Sequence, residues 1–226
     1  MFDKRINIFT GHFGSGKTEV AVNYAMKMAE AGYRTAIVDF DIINPYFRTA
    51  DAKDALEEQN IKVILPMYAN TNVDIPAIPP EIYSLFEDKN TKVVLDVGGD
   101  DLGAKAVSRF KEEIVSDDYE MFFVVNTKRI MTDSPEKIAE MIAIIEDGAN
   151  IKVTKLVNNS NLLEETTPEI IQEGNRIIAQ VSEKTGIPIA ITAGMEEVVS
   201  KMENSDMGNT EILYMRKQIH LPWNRG

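Results

Sequence analysis

The sequence predicts an α/β fold in three layers, a mostly parallel sheet covered by helices on both faces, within a single domain of residues 1–226. Two observations support this prediction. Short apolar runs of strand character alternate with segments of helical period, and strands joined through helices pair in parallel. The length of 226 residues suits one well-packed α/β domain and is short for two.

The first strand and the first helix flank a glycine-rich loop. Residues 5–10 form a β-rich run, and apolar residues recur at helical spacing from Glu19 until Gly32 offers a stop. Further strands are predicted at 34–38, 61–65, 91–96, 121–125, 152–157 and 187–192. Further helices are predicted at 51–59, 80–87 and 102–110, from 134 to before Gly148, and from 167 to before Gly186. Residues 67–80 have no clear period, so we expect a long surface loop that is either functional or merely irregular.

The loop between the first strand and helix has the complete pattern GxxxxGK[ST]. It consists of Gly11, His12, Phe13, Gly14, Ser15, Gly16, Lys17 and Thr18. The glycines let successive backbone N–H groups converge on phosphate oxygens at the N-terminus of the helix. Lys17 then reaches the β and γ phosphates, and the Thr18 hydroxyl ligates Mg²⁺. The alternative, a glycine-rich turn that only opens a helix, is disfavoured by the strand and helix on either side.

Two aspartates follow the strand predicted at 34–38. Asp39 and Asp41 are two residues apart, which puts them on the same side of an extended chain. One of them can orient or deprotonate an attacking water near Mg²⁺. The other either shares that role or only caps the turn.

A third aspartate ends the strand predicted at 91–96. Asp96 is followed by Gly99, the pattern of a Walker B strand that continues as DxxG. An aspartate at this position can hold Mg²⁺ through water, and the glycine amide can meet a γ-phosphate. Many buried strands end in an aspartate that only serves the turn, which is the alternative here.

GxxxxGKT, VDFDIxN and VVLDVGG, in this order, resemble the SIMIBI class of P-loop NTPases and specifically its MinD, ParA and CobQ-type branch. The resemblance implies a P-loop NTPase fold with the Walker B strand beside the strand that enters the phosphate-binding loop. It also implies ATP hydrolysis that switches partner binding, often in nucleotide-sandwich dimers. By motif match, Asp41 is the catalytic aspartate of switch I and Gly99 lies in switch II. With Lys17 as the second catalytic residue, the predicted magnesium ligands are Thr18, Asp39, Asp41 and Asp96, some of them through water.

His12 departs from the pattern of that branch. MinD and ParA proteins carry a second lysine at the matching position, which reaches the nucleotide of the partner subunit. A histidine is a weaker, pH-dependent cation with a shorter reach. Activation across a dimer is therefore not the default expectation, and His12 either contacts nucleotide or only packs over the loop.

The sequence favours ATP over GTP as the nucleotide. A GTP-binding protein normally shows NKxD after a strand, and neither 126–129 nor 158–161 has this pattern. Asn158 or Asn159 resembles the strand-end asparagine that contacts adenine in this class. An asparagine in a turn also needs no ligand to explain it, so both interpretations stay open.

Two further segments each allow two interpretations. Arg48, in the loop after Asp41, either contacts phosphate or a substrate, or joins a surface ion pair. The C-terminal tail, residues 210–226, either docks against the domain or binds a membrane through an amphipathic face. Pro222 and the small number of basic residues favour docking.

The composition excludes several other classes of site. A formal net charge of −12 disfavours nucleic-acid binding, because no run of Lys and Arg provides a local basic groove. The absence of cysteine excludes disulfides, thiolate zinc sites and protein-held iron–sulfur clusters, and two histidines are too few for a His-rich metal site. Since we find neither a signal peptide nor an apolar run of membrane-spanning length, we expect a cytoplasmic protein.

These features together favour a cytoplasmic, Mg²⁺-dependent ATPase whose nucleotide state switches an interaction with a protein partner, with a homodimer as one option. The first alternative is an ATP-using synthase or kinase of the CobQ or dethiobiotin-synthetase type. Arg48 and the 67–80 loop would then line the pocket of a small-molecule substrate. The second alternative is a nucleotide-binding scaffold that matures or delivers cargo without hydrolysis.

Overall fold

The computed structural model describes residues 1–41, 49–66, 79–202 and 210–219. Within them one sheet contains eight strands: β1 (Ile6–Thr10), β2 (Thr35–Phe40), β3 (Lys62–Ile64), β4 (Lys92–Val97), β5 (Tyr119–Val125), β6 (Lys155–Asn158), β7 (Ile189–Met195) and β8 (Glu211–Met215). Their spatial order is β3-β2-β4-β1-β5-β6-β7-β8. Each of the pairings between these strands is parallel.

Helices cover both faces of the sheet. They are α1 (Lys17–Glu30), α2 (Lys53–Glu58), α3 (Glu81–Glu87), α4 (Asp101–Ser108), α5 (Lys111–Val115), α6 (Pro135–Ala149), α7 (Pro168–Thr185) and α8 (Glu196–Val199). Val93 and Leu95 of β4 pack into a core with α3 to α7, while Val94 between them packs into a second core with α1 and α2. This alternation is the period of two expected of a strand buried on both faces. The predicted three-layer α/β fold is confirmed.

The helix boundaries follow capping residues that are visible in the sequence. Pro135 is the first residue of α6, and the Ser134 side chain accepts a hydrogen bond from the backbone N–H of Lys137 at 3.4 Å. Gly186 ends α7 in a left-handed conformation with φ 75°. Among the described helices, none combines the length and apolar composition needed to cross a lipid bilayer.

Some predicted boundaries were wrong. β6 begins at Lys155 rather than at 152, because Val153 donates its backbone N–H to the Glu146 side chain at 3.0 Å instead of to the sheet. The sequence prediction assigned no strand to residues 210–226, whereas residues 211–215 form β8 beside β7. β8 lies at the edge of the sheet and buries only Leu213 and Met215 completely, so its hydrophobic pattern is short and weak.

The strand order brings three strand ends together. In the parallel register, Asp96 of β4 lies opposite Asp39 of β2 on one side and opposite Phe9 of β1 on the other. The carboxyl ends of parallel strands lie at the same edge, where ligands of open α/β sheets bind. The phosphate-binding loop that follows β1 and the two carboxylates therefore share one edge.

An ion pair joins several elements at the opposite, amino edge of the sheet. Arg5 is 9% exposed, and its guanidinium bonds to the Asp117 carboxylate and to the backbone carbonyls of Leu85 at 3.0 Å and Thr91 at 3.1 Å. Lys89 also donates to Asp117 at 2.7 Å. Burial alone would raise the pKa of Asp117, but the hydrogen bonds from Arg5 and Lys89 hold it well below its usual range.

We expect Asp117→Asn to lower the free energy of unfolding by about 3 kcal/mol at neutral pH, because the Arg5 guanidinium would stay buried without its counter-ion. A carboxylate with a lowered folded-state pKa stabilises the protein above the ordinary aspartate pKa, and this contribution is lost as the pH falls toward the lowered value. Urea denaturation of parent and variant between neutral and acid pH measures both effects.

The matched control is Asp118→Asn at the next position in the chain. It removes a carboxylate that is exposed and pairs with Lys4. We expect little change in stability from it. Equal stabilities for both variants would contradict the structural role assigned to the Arg5–Asp117 pair.

Candidate functional site

The loop from Gly11 to Thr18 has a backbone that depends on its glycines. Gly14 and Gly16 both have φ 79°, and Gly16 directly precedes α1. A Cβ atom on Gly11 would lie 2.3 Å from the carbonyl oxygen of Val124 in β5. The loop therefore reaches its conformation and its close contact with the sheet only with glycine at these positions.

Lys17, the first residue of α1, has its ammonium group among carboxylates. Its Nζ lies 2.8 Å from Oδ2 of Asp41, and both side chains are 7% exposed. The backbone N–H of Asp41 donates to Oδ1 of Asp39 at 2.9 Å. Burial lowers the pKa of Lys17, but the charges of Asp96, Asp41 and Asp39 outweigh it and raise the pKa above its ordinary value. Lys17 is therefore a buried cation held by three carboxylates.

Asp96 is completely buried at the end of β4. Its Oδ2 accepts a hydrogen bond from the Thr49 hydroxyl at 3.0 Å, and its Oδ1 has no hydrogen-bond partner in the described part of the chain. Burial raises the pKa of Asp96, Asp41 raises it further, and Lys17 and the Thr18 hydroxyl oppose the rise. A buried carboxylate oxygen without a partner next to Thr18 fits a cation-binding position.

No group of three or more His, Asp or Glu side chains among the described residues has the arrangement of a metal site by itself. Magnesium usually keeps several waters and is bound through one or two carboxylates together with substrate phosphates. Thr18 and Asp96 fit that minimal donor set. The predicted ligands Asp39 and Asp41 lie close by, but Asp41 faces Lys17.

Gly99 packs directly on the phosphate-binding loop. A Cβ atom at Gly99 would lie 1.8 Å from the carbonyl oxygen of Gly11 and 3.1 Å from the carbonyl carbon of His12. The turn after β4 and the loop after β1 are therefore in backbone contact. A movement of one of them requires a movement of the other.

The two asparagines at the end of β6, Asn158 within the strand and Asn159 directly after it, have different surroundings. Asn159 donates from Nδ2 to the carbonyl oxygen of Ser15 at 2.8 Å, so it holds the phosphate-binding loop. Asn158 donates to the Ile171 carbonyl at 2.9 Å and to the Asn175 side chain at 2.8 Å, and its Oδ1 accepts from Ser160. These bonds favour the structural interpretation of Asn158, which the sequence left open beside adenine binding.

His12 and Phe13 lie on the outer side of the loop. Nδ1 of His12 is 2.9 Å from the Phe13 carbonyl oxygen, and the Phe13 side chain is 64% exposed. Arg48, residues 67–78 and the end of the tail at 220–226 lie outside the described residues.

The sequence analysis missed Arg129 as a residue of this site. Nε of Arg129, in the loop after β5, donates to the carbonyl oxygen of Gly14 at 3.0 Å. It also missed Thr49, the hydrogen-bond donor to Asp96. The signal for Arg129 was the pair of basic residues Lys128 and Arg129 shortly after the end of β5, a segment that the sequence analysis used only for its lack of an NKxD pattern.

Comparison with known proteins agrees with this geometry. Residues 2–127 match the ParA family, described as NUBPL iron-transfer P-loop NTPase. The comparison with curated proteins finds no significant match.

Several solved structures share the fold. FtsY, the cell division protein of Thermotoga maritima, has a TM-score of 0.57 at 18% identity over 84% of this chain and 61% of its own. FtsY of Mycoplasma mycoides has a TM-score of 0.55 at 17% identity over 91% of this chain and 66% of its own. FtsY of Elizabethkingia anophelis, a signal recognition particle receptor, has a TM-score of 0.53 at 13% identity over 97% of this chain and 64% of its own. The chain thus spans between 61% and 66% of the length of these structures, and the likeness concerns the fold.

We expect Asp96→Asn to stabilise the protein by about 1–2 kcal/mol near neutral pH without nucleotide and Mg²⁺, because it removes a fully buried carboxyl group whose pKa burial raises. A carboxyl group with a raised folded-state pKa begins to cost stability as the pH rises above the ordinary unfolded-state value, and the cost is complete above the raised value. The gain should therefore vanish as the pH falls below the ordinary aspartate pKa. Urea denaturation across this pH range measures it.

The control for this variant is Asp100→Asn, which changes an exposed helix cap into another good cap and should leave stability unchanged. Lower stability of Asp96→Asn at neutral pH would mean that the contacts of the charged group with Lys17 and Thr49 outweigh its burial.

We expect Gly99→Ala to lower the free energy of unfolding by about 1–3 kcal/mol, because the added methyl group meets backbone atoms of Gly11 that cannot move independently. Gly98→Ala is the matched control, since its methyl group would come no closer than 3.3 Å, to a carboxylate oxygen of Asp41. Thermal and urea unfolding of both variants compare them. Equal losses would rule out the close backbone contact at Gly99.

Proposed function

We propose, since the chain belongs to the ParA family of SIMIBI-class P-loop NTPases, that it is a cytoplasmic Mg²⁺-dependent ATPase whose nucleotide state switches its binding to a protein partner. One observation carries the proposal. A glycine-dependent phosphate-binding loop meets the ammonium of Lys17, and the carboxylates of Asp41 and Asp96 lie in the same buried cluster. This is the donor set that phosphoryl transfer requires.

The Lys17–Asp41 ion pair suggests how the site responds to nucleotide. Phosphate oxygens at the loop would compete with Asp41 for the Lys17 ammonium, since a triphosphate carries more negative charge than one carboxylate. Asp41 would then lose its counter-ion and become available to orient or deprotonate a water molecule. Nucleotide binding thereby converts a structural ion pair into two separate functional groups.

Thr18 and Asp96 are the residues that we propose to hold Mg²⁺, together with phosphate and water oxygens. The ion supplies charge neutralisation at the phosphates. Its binding would also give the buried Oδ1 of Asp96 the partner that it lacks among the described residues.

Two features support a partner that senses the nucleotide. Gly99 contacts the loop backbone, so its turn is in a position to transmit a change at the phosphates. Large apolar side chains are also exposed in the segments that follow β1, β5 and β6, namely Phe13 at 64%, Ile130 at 80% and Leu163 at 78%. We propose these exposed groups as contact points for the partner.

Iron transfer, which stands in the description of the family, is not part of this proposal. The 226 residues contain no cysteine, and protein-held iron–sulfur clusters are bound mainly through cysteine thiolates.

We expect Lys17→Ala to weaken the binding of MgATP at least about tenfold, because it removes a charge-assisted contact to phosphate. Asp41→Asn should retain MgATP binding and lower turnover about 100-fold or more, because it removes the group that handles the water. Calorimetric titration and phosphate release, each with MgATP and with MgGTP, measure these effects and the choice of base.

Lys27→Ala is the matched control, because it removes an exposed lysine from the same helix and should change neither quantity. Since Lys17→Ala leaves buried carboxylates without their cation, its melting temperature is measured alongside, and Asp41→Asn gives an independent test. The proposal fails if Lys17→Ala binds and hydrolyses MgATP as the parent does.

A further inference from the structure

The contact between Arg129 and the phosphate-binding loop goes beyond the motifs of the site. The Arg129 side chain lies against Gly14, where a Cβ atom would be only 3.4 Å from Nε and 3.7 Å from Cζ. Nε donates to the Gly14 carbonyl oxygen at 3.0 Å. The two terminal nitrogens of the guanidinium form no hydrogen bond or ion pair with any described residue. A planar cation with two remaining donor groups thus lies on the loop.

The turn that carries Arg129 is rigidly built. The backbone carbonyl of Asn126 accepts hydrogen bonds from the Arg129 N–H at 3.1 Å and from the Thr132 hydroxyl at 2.7 Å. Thr132 in turn donates its N–H to the Arg129 carbonyl at 2.9 Å. Asn126 and Thr132 are both completely buried. The backbone of Arg129 is therefore held in place, and only its side chain has freedom to adjust to a ligand.

The negative charges described at the site favour a further cation when a triphosphate is bound. Among the described side chains of the cluster, the carboxylates of Asp39, Asp41 and Asp96 face the ammonium of Lys17. A nucleoside triphosphate adds more negative charge than one Mg²⁺ neutralises. A guanidinium suits phosphate because its donors match two oxygen atoms at once.

We propose that Arg129 is a second phosphate-binding cation of this site, which contacts the phosphate groups of a bound nucleoside triphosphate with its terminal nitrogens while Nε remains on Gly14. This inference rests on the proposed function, since it presumes that the loop binds a nucleotide. It assigns to the loop after β5 a positive charge in addition to that of Lys17.

The test measures MgATP binding by calorimetry for the parent and for Arg129→Gln, Arg129→Lys, Lys128→Gln and Lys17→Ala, with the melting temperature of each. Arg129→Gln keeps a donor for the Gly14 carbonyl but has no charge, so we expect a loss of affinity of about tenfold or more. Arg129→Lys keeps the charge but loses the paired donors of the guanidinium, so we expect an affinity between those of the parent and of Arg129→Gln. Lys128→Gln is the matched control, because the neighbouring Lys128 extends to Glu173 on α7, at 2.5 Å, and should bind as the parent does.

The binding results distinguish a failure of the role proposed for Arg129 from a failure of the proposed function. If Arg129→Gln binds MgATP within about twofold of the parent while Lys17→Ala does not bind, the role of Arg129 is refuted and the proposed function stands. If Arg129→Lys loses as much affinity as Arg129→Gln and both melt at lower temperature, Arg129 only supports the loop, and the inference is refuted. If the parent itself does not bind MgATP, the proposed function fails and the inference fails with it.

Discussion

The buried ion pair between Lys17 and Asp41 is the interaction on which the arrangement of this site depends. Three carboxylates at the ends of two neighbouring strands can be buried together only because an ammonium group lies among them. That ammonium comes from the first turn of α1, whose position is set by the glycine-dependent loop after β1. Loop, helix and strand ends are thus coupled by charge as well as by packing.

The phosphate-binding loop is held from several sides by the loops that follow its neighbours in the sheet. The turn after β4 touches it through Gly99, the loop after β5 through Arg129, and the loop after β6 through Asn159. All three contacts involve the backbone of the phosphate-binding loop. A ligand that changed this backbone would therefore act on all three segments at once.

The buried polar groups at the two edges of the sheet differ in how completely they are hydrogen-bonded. At the amino edge, Arg5 and Asp117 form a compact pair in which carbonyl groups satisfy the remaining donors. At the carboxyl edge, Oδ1 of Asp96 and Oγ of Ser15 are buried without a hydrogen-bond partner among the described residues. Groups that lower the stability of the free protein in this way are typical of sites that a ligand completes.

The sequence by itself determined the parts of the site that are local along the chain. GxxxxGKT, the aspartates at the ends of two strands and the glycine after Asp96 are recognisable because each function needs its residues within a few positions of one another. The alternation of strands and helices was sufficient for the three-layer parallel fold, since hydrophobic period is also a local property. The edge strand β8 escaped prediction because only part of one face is buried.

Only the tertiary structure decided which of these residues meet. Arg129 and Gly14 are 115 positions apart, and Asn159 and Ser15 are 144 apart. No pattern within the sequence connects them, because their contact follows from the order in which β1, β5 and β6 lie in the sheet. The same holds for Asn158. Its side-chain amide donates hydrogen bonds to α7, and these bonds depend on how the helix packs against the strand. Site residues that act with their neighbours along the chain can be predicted from the sequence. Contacts between residues on different strands and loops can be identified only once the order of the strands in the sheet is known.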